Sequence, residues 1–149
     1  MKQFPTTAEI DIRFRDTDAI GHVNNAVYVT YLEVGRQAYW RAMSPDVDYR
    51  RVPFVMARVE LDFRSPAWVG EVLLVRVRMA WASTKSFGTE YEIRDRATDR
   101  LIATARSVQA TYDHHAQRAI EIPDDFLRAL ERVEGRSLPP KPASGADWP

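Results

Sequence analysis

From Ala8 to Arg15 apolar and polar positions alternate, with Ile10, Ile12 and Phe14 on one face and Glu9, Asp11, Arg13 and Arg15 on the other, the period of a half-buried strand. Ten mostly polar residues, Asp16 to Asn25, interrupt the pattern. The period then changes. From Ala26 to about Met43, Thr30, Glu33, Gln37 and Arg41 fall on one narrow stripe with Arg36 beside it, and Val27, Tyr28, Tyr31, Leu32, Val34, Ala38, Tyr39 and Trp40 cover the rest of the circumference. At 1.5 Å per residue this predicts a helix of about 27 Å, so apolar that other elements must wrap it. A Pro- and Asp-bearing loop, Ser44 to Arg51, leads to four alternating segments: Phe54–Arg64, Val72–Trp81 with Leu73, Val75, Val77, Met79 and Trp81 inward, Ser86–Arg94 and Leu101–Tyr112. Polar turns separate them at Ser65–Glu71 and Asp95–Arg100. After a turn at Asp113–Gln117, IPDDFLRALERVEG predicts a short amphipathic helix from Pro123 or Asp124 to near Gly135.

One strand, one long helix and four further strands predict an α+β architecture in which an antiparallel sheet of about five strands curls around the helix. Residues 1–136 form one domain, and 137–149, with four of the nine prolines, a tail that orders on contact or stays disordered. The 21 basic and 21 acidic residues balance, so no overall field recruits nucleic acid or an anionic membrane. Without cysteine there is no disulfide, thiolate nucleophile or thiolate-bound zinc. The start, MKQFPTTAEIDIRF, lacks a signal peptide's apolar run, and no stretch approaches the roughly 18 apolar residues of a membrane span. A cytoplasmic protein is expected.

The chemistry concentrates in DTDAIGHVNN, residues 16–25. Carboxylates, an imidazole and amides at a strand-to-helix junction, next to the positive end of a helix, suit stabilisation of a developing oxyanion. The plainer reading is a helix cap, with Asn24 or Asn25 at the N-cap and Gly21 permitting an unusual turn. There is no Gly-x-Ser-x-Gly elbow, phosphate loop or metal-spaced cluster, and the adjacent His114 and His115 fall in a predicted turn as solvated side chains, so no metal is expected.

RFRDTDAIGHVNNAVYVTYLEVGR, residues 13–36, resembles the opening segment of the hotdog-fold acyl-CoA thioesterases, the 4-hydroxybenzoyl-CoA thioesterase group in particular. RSPAWVGE resembles that family's Pro-Ala-x-x-Gly-Asp/Glu link, KSF stands where a Ser-containing strand start belongs, and RAIEIPDDF resembles its closing segment, so the match spans about residues 8–130. The resemblance implies a hotdog fold and hydrolysis of a small or medium acyl-CoA to free acid and CoA, with CoA as part of the substrate and no cofactor. Asp18 becomes the catalytic carboxylate, a general base on water or a nucleophile forming a mixed anhydride. Substrate contact falls to Gly21, Asn24 and Asn25, where N–H groups of the loop and first helical turn would hold the carbonyl oxygen, and to Tyr28, which would line an acyl pocket.

His22 would act chemically or orient the loop. The related plant acyl-carrier-protein thioesterases carry Asp-x-Asn-x-His; here Asp18 and His22 match but Ile20 stands at the asparagine, which speaks against a complete triad. Asp16 is read as a structural cap and Thr17 as a loop hydrogen-bonder. Arg58, Arg64 and Lys85 are candidates for the CoA phosphates, Ser86 for the nucleotide entrance. The family's habit of building sites across paired sheets implies a homodimer or homotetramer. Two rivals remain: a hotdog-fold dehydratase or hydratase using His22 with Glu33, although Glu33 is also placed to pair with Arg36, and a non-catalytic acyl-CoA-binding module.

Overall fold

The first strand, β1, spans Thr6–Asp11 and stops four residues short of the expected Arg15, in a computed structural model that describes residues 2–46, 48 and 51–143. Alternation continues to the buried Ile12, but then Arg13 turns its amide (3.1 Å) and guanidinium (3.1 and 2.9 Å) onto the Asp16 carboxylate. This closes a single 3₁₀ turn over Phe14–Asp16, and Phe14, expected inward, is 84% exposed. A local carboxylate outcompetes the strand ladder here.

The long helix, α1, spans Val27–Met43. It buries Tyr28, Tyr31, Leu32, Gly35, Tyr39 and Trp40 and exposes the polar stripe Thr30, Glu33, Gln37 and Arg41, as the pattern predicts, but Arg36, expected beside that stripe, is buried as well, because its guanidinium reaches the Tyr91 hydroxyl. The sheet comprises β1, β2 (Phe54–Phe63), β3 (Val72–Ala82), β4 (Ser86–Asp95), β5 (Leu101–Asp113) and a two-residue β6 (Arg118–Ala119). Its order is β1-β3-β4-β5-β2, every neighbouring pair is antiparallel, and β6 pairs with β5, giving six strands where about five were expected. Of the loop at 44–51, Val47, Tyr49 and Arg50 lie outside the described residues.

Helix and sheet meet closely at Gly35. A Cβ there would lie 2.7 Å from Val75 Cγ1 and 2.8 Å from Val77 Cγ2. Gly35→Ala gains up to about 1 kcal/mol of helix propensity, but wedging a methyl into that contact costs about 1–3 kcal/mol. The expected outcome is a melting temperature about 2–4 °C lower by calorimetry; a rise would show that the two layers part easily.

The inner face of the sheet is apolar along β3 and crossed by a buried polar chain on β4 and β5. Arg36 Nη1 donates to the Tyr91 hydroxyl (3.0 Å), which meets Ser107 Oγ (2.8 Å); Gln109 Nε2 donates to the same Oγ (2.6 Å) and Thr89 Oγ1 donates to Gln109 Oε1 (2.9 Å), so each buried group has a partner. Trp81 does not point inward as expected. A bulge between Met79 and Trp81 reverses the alternation and turns the indole over Gly88 on the outer face, with Ala80 and Val108.

The second helix, α2, spans Asp124–Glu134, with Phe126 and Leu130 buried and Gly135 closing it at φ +66°. The chain then runs along β3 beyond the end of β1. Glu134 accepts the Met79 N–H (2.6 Å) and the Tyr39 hydroxyl (2.9 Å), Arg136 donates to the Met79 carbonyl (2.8 Å), and the Pro139 carbonyl accepts the Ala82 N–H (3.0 Å). Lys141 Nζ stands 5.5 Å from the Trp81 ring centroid. The segment expected as a tail is therefore held against the sheet to Lys141; its last six positions, 144–149, lie outside the described residues. Among the described residues no helix is long and apolar enough to cross a membrane.

Candidate active site

The polar loop is folded around the Asp16 carboxylate, which is 2% exposed and also accepts the Tyr31 hydroxyl of α1 (2.9 Å). Burial alone would raise the Asp16 carboxyl; the Arg13 side chain and amide and the Tyr31 hydroxyl outweigh it and hold the group below the usual carboxylate range. The Asp16 carbonyl accepts the Asn24 N–H (2.8 Å), so the same residue closes both ends of the loop. Within it Thr17 Oγ1 donates to the Phe14 carbonyl (2.7 Å), the Asp18 N–H to the His22 carbonyl (2.8 Å) and the Gly21 N–H to the Asp18 carbonyl (3.0 Å). Asp18 Oδ1 accepts the Ile20 N–H (2.9 Å). Gly21 has φ +89°, where a side chain would be strained.

Asn24 opens the helix in a way the cap expectation only half described. Its side-chain oxygen accepts the Ala26 N–H and its carbonyl the Val27 N–H, both at 2.9 Å, an Asx turn feeding α1 one step early. The helix itself begins from Ala26 without a side-chain cap, and Asn25 does not cap it. Asn25 faces a pocket instead.

That open pocket, about 330 Å³, lies where the loop, the first turn of α1 and the end of β2 meet. Asp18, His22, Asn25 and Tyr28 line it together, with Val23, Phe63, Arg64, Ser65 and Pro66 completing the wall. Tyr28 is buried and meets the Phe63 ring edge-on at 5.1 Å; burial pushes its phenol up. Gly21 and Asn24 shape the loop from behind.

Phe63, Ser65 and Pro66 were not anticipated, because Phe63 reads as one more alternating strand residue, and SPAWVGE reads locally as a turn with nothing in its periodicity to say that it packs on the loop. The Val23 N–H to Ala67 carbonyl bond (2.8 Å) and a strand-like bridge between His22 and Trp68 make that contact. Arg100 braces the turn from behind, donating to Glu71 (2.6 Å), to Ser65 Oγ (3.2 Å) and to the Pro66 carbonyl.

Other candidates lie elsewhere in the single chain. Arg64 reaches the pocket, but Arg58 sits five residues, about 17 Å, up β2 from Phe63 and is paired with Glu60 (2.7 Å). Lys85 ends the β3–β4 turn and Ser86 begins β4, standing opposite Ala110, seven residues or about 23 Å along β5 from the partner of Phe63. Glu33 is on the exposed stripe, 3.5 Å from Arg36, and does not line the pocket. His114 and His115 are exposed in their turn, and no metal-holding cluster occurs among the described residues. Hollows of about 360 and 620 Å³ adjoin Lys2 and Phe4, and several of the charged side chains that line them are engaged in ion pairs such as Lys2–Glu90.

A family model described as the thioesterase-like superfamily matches residues 12–130. The long-chain acyl-CoA thioesterase FadM of Escherichia coli is 22% identical over 130 residues, covering 84% of this chain and 96% of that protein. A 1,4-dihydroxy-2-naphthoyl-CoA hydrolase of Nostoc punctiforme is 24% identical over 127 residues, covering 80% and 82%. Among solved structures, a thioesterase of Thermus thermophilus complexed with coenzyme A and Zn superposes with a TM-score of 0.83 at 32% identity, covering 93% of this chain and all of that one.

Proposed function

Since the chain belongs to the thioesterase-like superfamily, and the relatives above are hydrolases of CoA thioesters, we propose that it hydrolyses a small or medium acyl-CoA to free acid and CoA at the pocket of Asp18. The observation that carries this is the convergence of Asp18, His22, Asn25 and Tyr28 on one wall-to-wall space at a helix start. Asp18 takes the proton of an attacking water, which supplies the acid's new oxygen, or attacks the thioester carbonyl itself to form a mixed anhydride that water then cleaves; in either route the C–S bond breaks and the thiolate leaves as CoA. The carbonyl oxygen needs N–H donors. The N–H groups of Asp18, Ile20, Gly21, Val23, Asn24, Ala26 and Val27 are already spent on holding the loop, so Gly21 serves by its backbone shape, and of the remaining loop residues Ala19, His22 and Asn25 the last two line the pocket and offer their N–H groups to the substrate. Asp18 in the 16–25 string is likewise the argument for placing the chain with the 4-hydroxybenzoyl-CoA group.

Tyr28 and Phe63 give the acyl group an aromatic wall, and a volume near 330 Å³ is at the small end for ligand sites. Arg64 offers a cation at the rim. The remaining cations become relevant in a homodimer. β2 is a ten-residue edge strand, and antiparallel pairing of two copies along it sets the Phe54 end of one beside the Phe63 end of the other, bringing Arg58, Lys85 and Ser86 of the second copy toward the first copy's pocket. The test is thiol release from a panel of short-chain, aryl and long-chain acyl-CoAs. Preference for short or aryl thioesters is expected; cleavage of long chains alone would overturn the size assignment, and cleavage of none the function. A single turnover in isotopically labelled water identifies direct attack when label enters the Asp18 carboxylate and the first product is unlabelled, as happens when water opens the anhydride at the Asp18 carbonyl; general-base attack labels the product and never Asp18.

A further inference from the structure

We propose that Trp68 is the positioning residue of His22, an inference that rests on the reading above. An imidazole that works in a site is ordinarily oriented by a hydrogen bond at one of its nitrogens. Among the described residues neither nitrogen of His22 has such a partner, and the ring contact that fixes it is the Trp68 indole, with centroids 4.1 Å apart and planes at 88°. The backbones bring the two together through the His22–Trp68 bridge and the Val23 to Ala67 hydrogen bond (2.8 Å). The indole reaches one residue further back: a Cβ on Gly21 would stand 3.8 Å from its Cζ3, so Trp68 supports both the left-handed turn and the imidazole that follows it.

Trp68 is itself held. Its N–H donates to Glu71 Oε2 (3.0 Å), its carbonyl accepts the Glu71 N–H (3.1 Å), and Arg100 fixes Glu71 from the other side (2.6 Å). Yet the side chain is 42% exposed and belongs to neither buried cluster, so the core does not account for an indole at this position. A rigid ring with two torsions, backed by a closed turn, is a means of holding another ring at a pocket wall.

The experiment measures kcat and KM on the best-cleaved acyl-CoA for the native protein, Trp68→Ala, Trp68→Phe, His22→Ala, the Trp68→Ala/His22→Ala pair and Asp18→Asn. Trp68→Ala is expected to lower kcat about ten- to a hundredfold with KM within about threefold, as misplacement of a working group does. Trp68→Phe recovers most of the loss, and adding Trp68→Ala to His22→Ala costs nothing more. In proton NMR the His22 ring resonance, assigned by its disappearance in His22→Ala, carries a ring-current shift that Trp68→Ala removes. Equal losses in both backgrounds, a loss confined to KM, or a His22 resonance unmoved by Trp68→Ala would overturn the proposal. Failure of the function is distinct: no acyl-CoA cleaved, or Asp18→Asn as active as the native protein, while the NMR shift still decides whether Trp68 holds His22.

Discussion

Asp18→Asn is expected to abolish thioester hydrolysis while leaving the fold in place, with kcat falling about 10²–10⁴-fold, the usual worth of a positioned acid or base. That corresponds to about 3–5 kcal/mol of barrier. The substitution is well isolated. Asp18 is exposed, and the one hydrogen bond its side chain makes within the loop is accepted from the Ile20 N–H at 2.9 Å, which an asparagine oxygen accepts as well. Asp16 and not Asp18 holds the loop to the helix. Unchanged melting with lost thiol release assigns the carboxylate to the chemistry; retained thiol release removes Asp18 from it and with it the proposed route.

Asp16→Ala should act on the other property. It strands the buried Tyr31 hydroxyl without its acceptor, a cost of about 1–3 kcal/mol, and removes the hub that Arg13 closes. Arg13 is more than half exposed and regains water, so its ion pair adds little. A loss of about 2–3 kcal/mol in denaturant unfolding is expected, together with lower activity because both loop ends are released. The pH dependence follows from the lowered Asp16 carboxyl. A depressed folded-state value stabilises at pH above the unfolded value, about 3.9, and that stabilisation fades as pH falls through the folded value. The native protein's advantage over Asp16→Asn should therefore be full at neutral pH and shrink below about pH 4. A gap that stayed constant into acid would mean that the Asp16 carboxyl titrates alike in the folded and unfolded states, and one that widened that its folded value is raised.

How much of this was written in the chain depends on range. α1 was legible because its code is one period repeated, and the buried set from Tyr28 to Trp40 follows it. The strands of the sheet were legible for the same reason, whereas their order, which puts β3 between β1 and β4, is a matter of pairing between distant segments. Errors fell where one residue overrode the pattern. Asp16 ended β1 early by capturing Arg13, and a single extra residue in β3 sent Trp81 to the opposite face. The site divides likewise. Asp18, His22, Asn25 and Tyr28 are close in sequence and meet in the pocket, but Phe63 enters from the end of β2, and Ser65 and Pro66 from the turn after it, whose partner is about forty residues away, a distance over which no local pattern speaks.

The two margins of the sheet are unequal, and that inequality governs how copies of the protein can stack. β1 offers only six residues, carries Glu9 and Asp11, and where β3 overhangs it the free amide and carbonyl of Met79 are already occupied by Glu134 and Arg136 and the Ala82 amide by Pro139. Short, charged and plugged margins are poor templates for a further strand. β2 has ten residues and no such plug among the described residues. A ribbon grows without end only if each unit is sticky on both sides; with the β1 margin short, charged and plugged by the C-terminal strap, β2 is the one long open margin among the described residues.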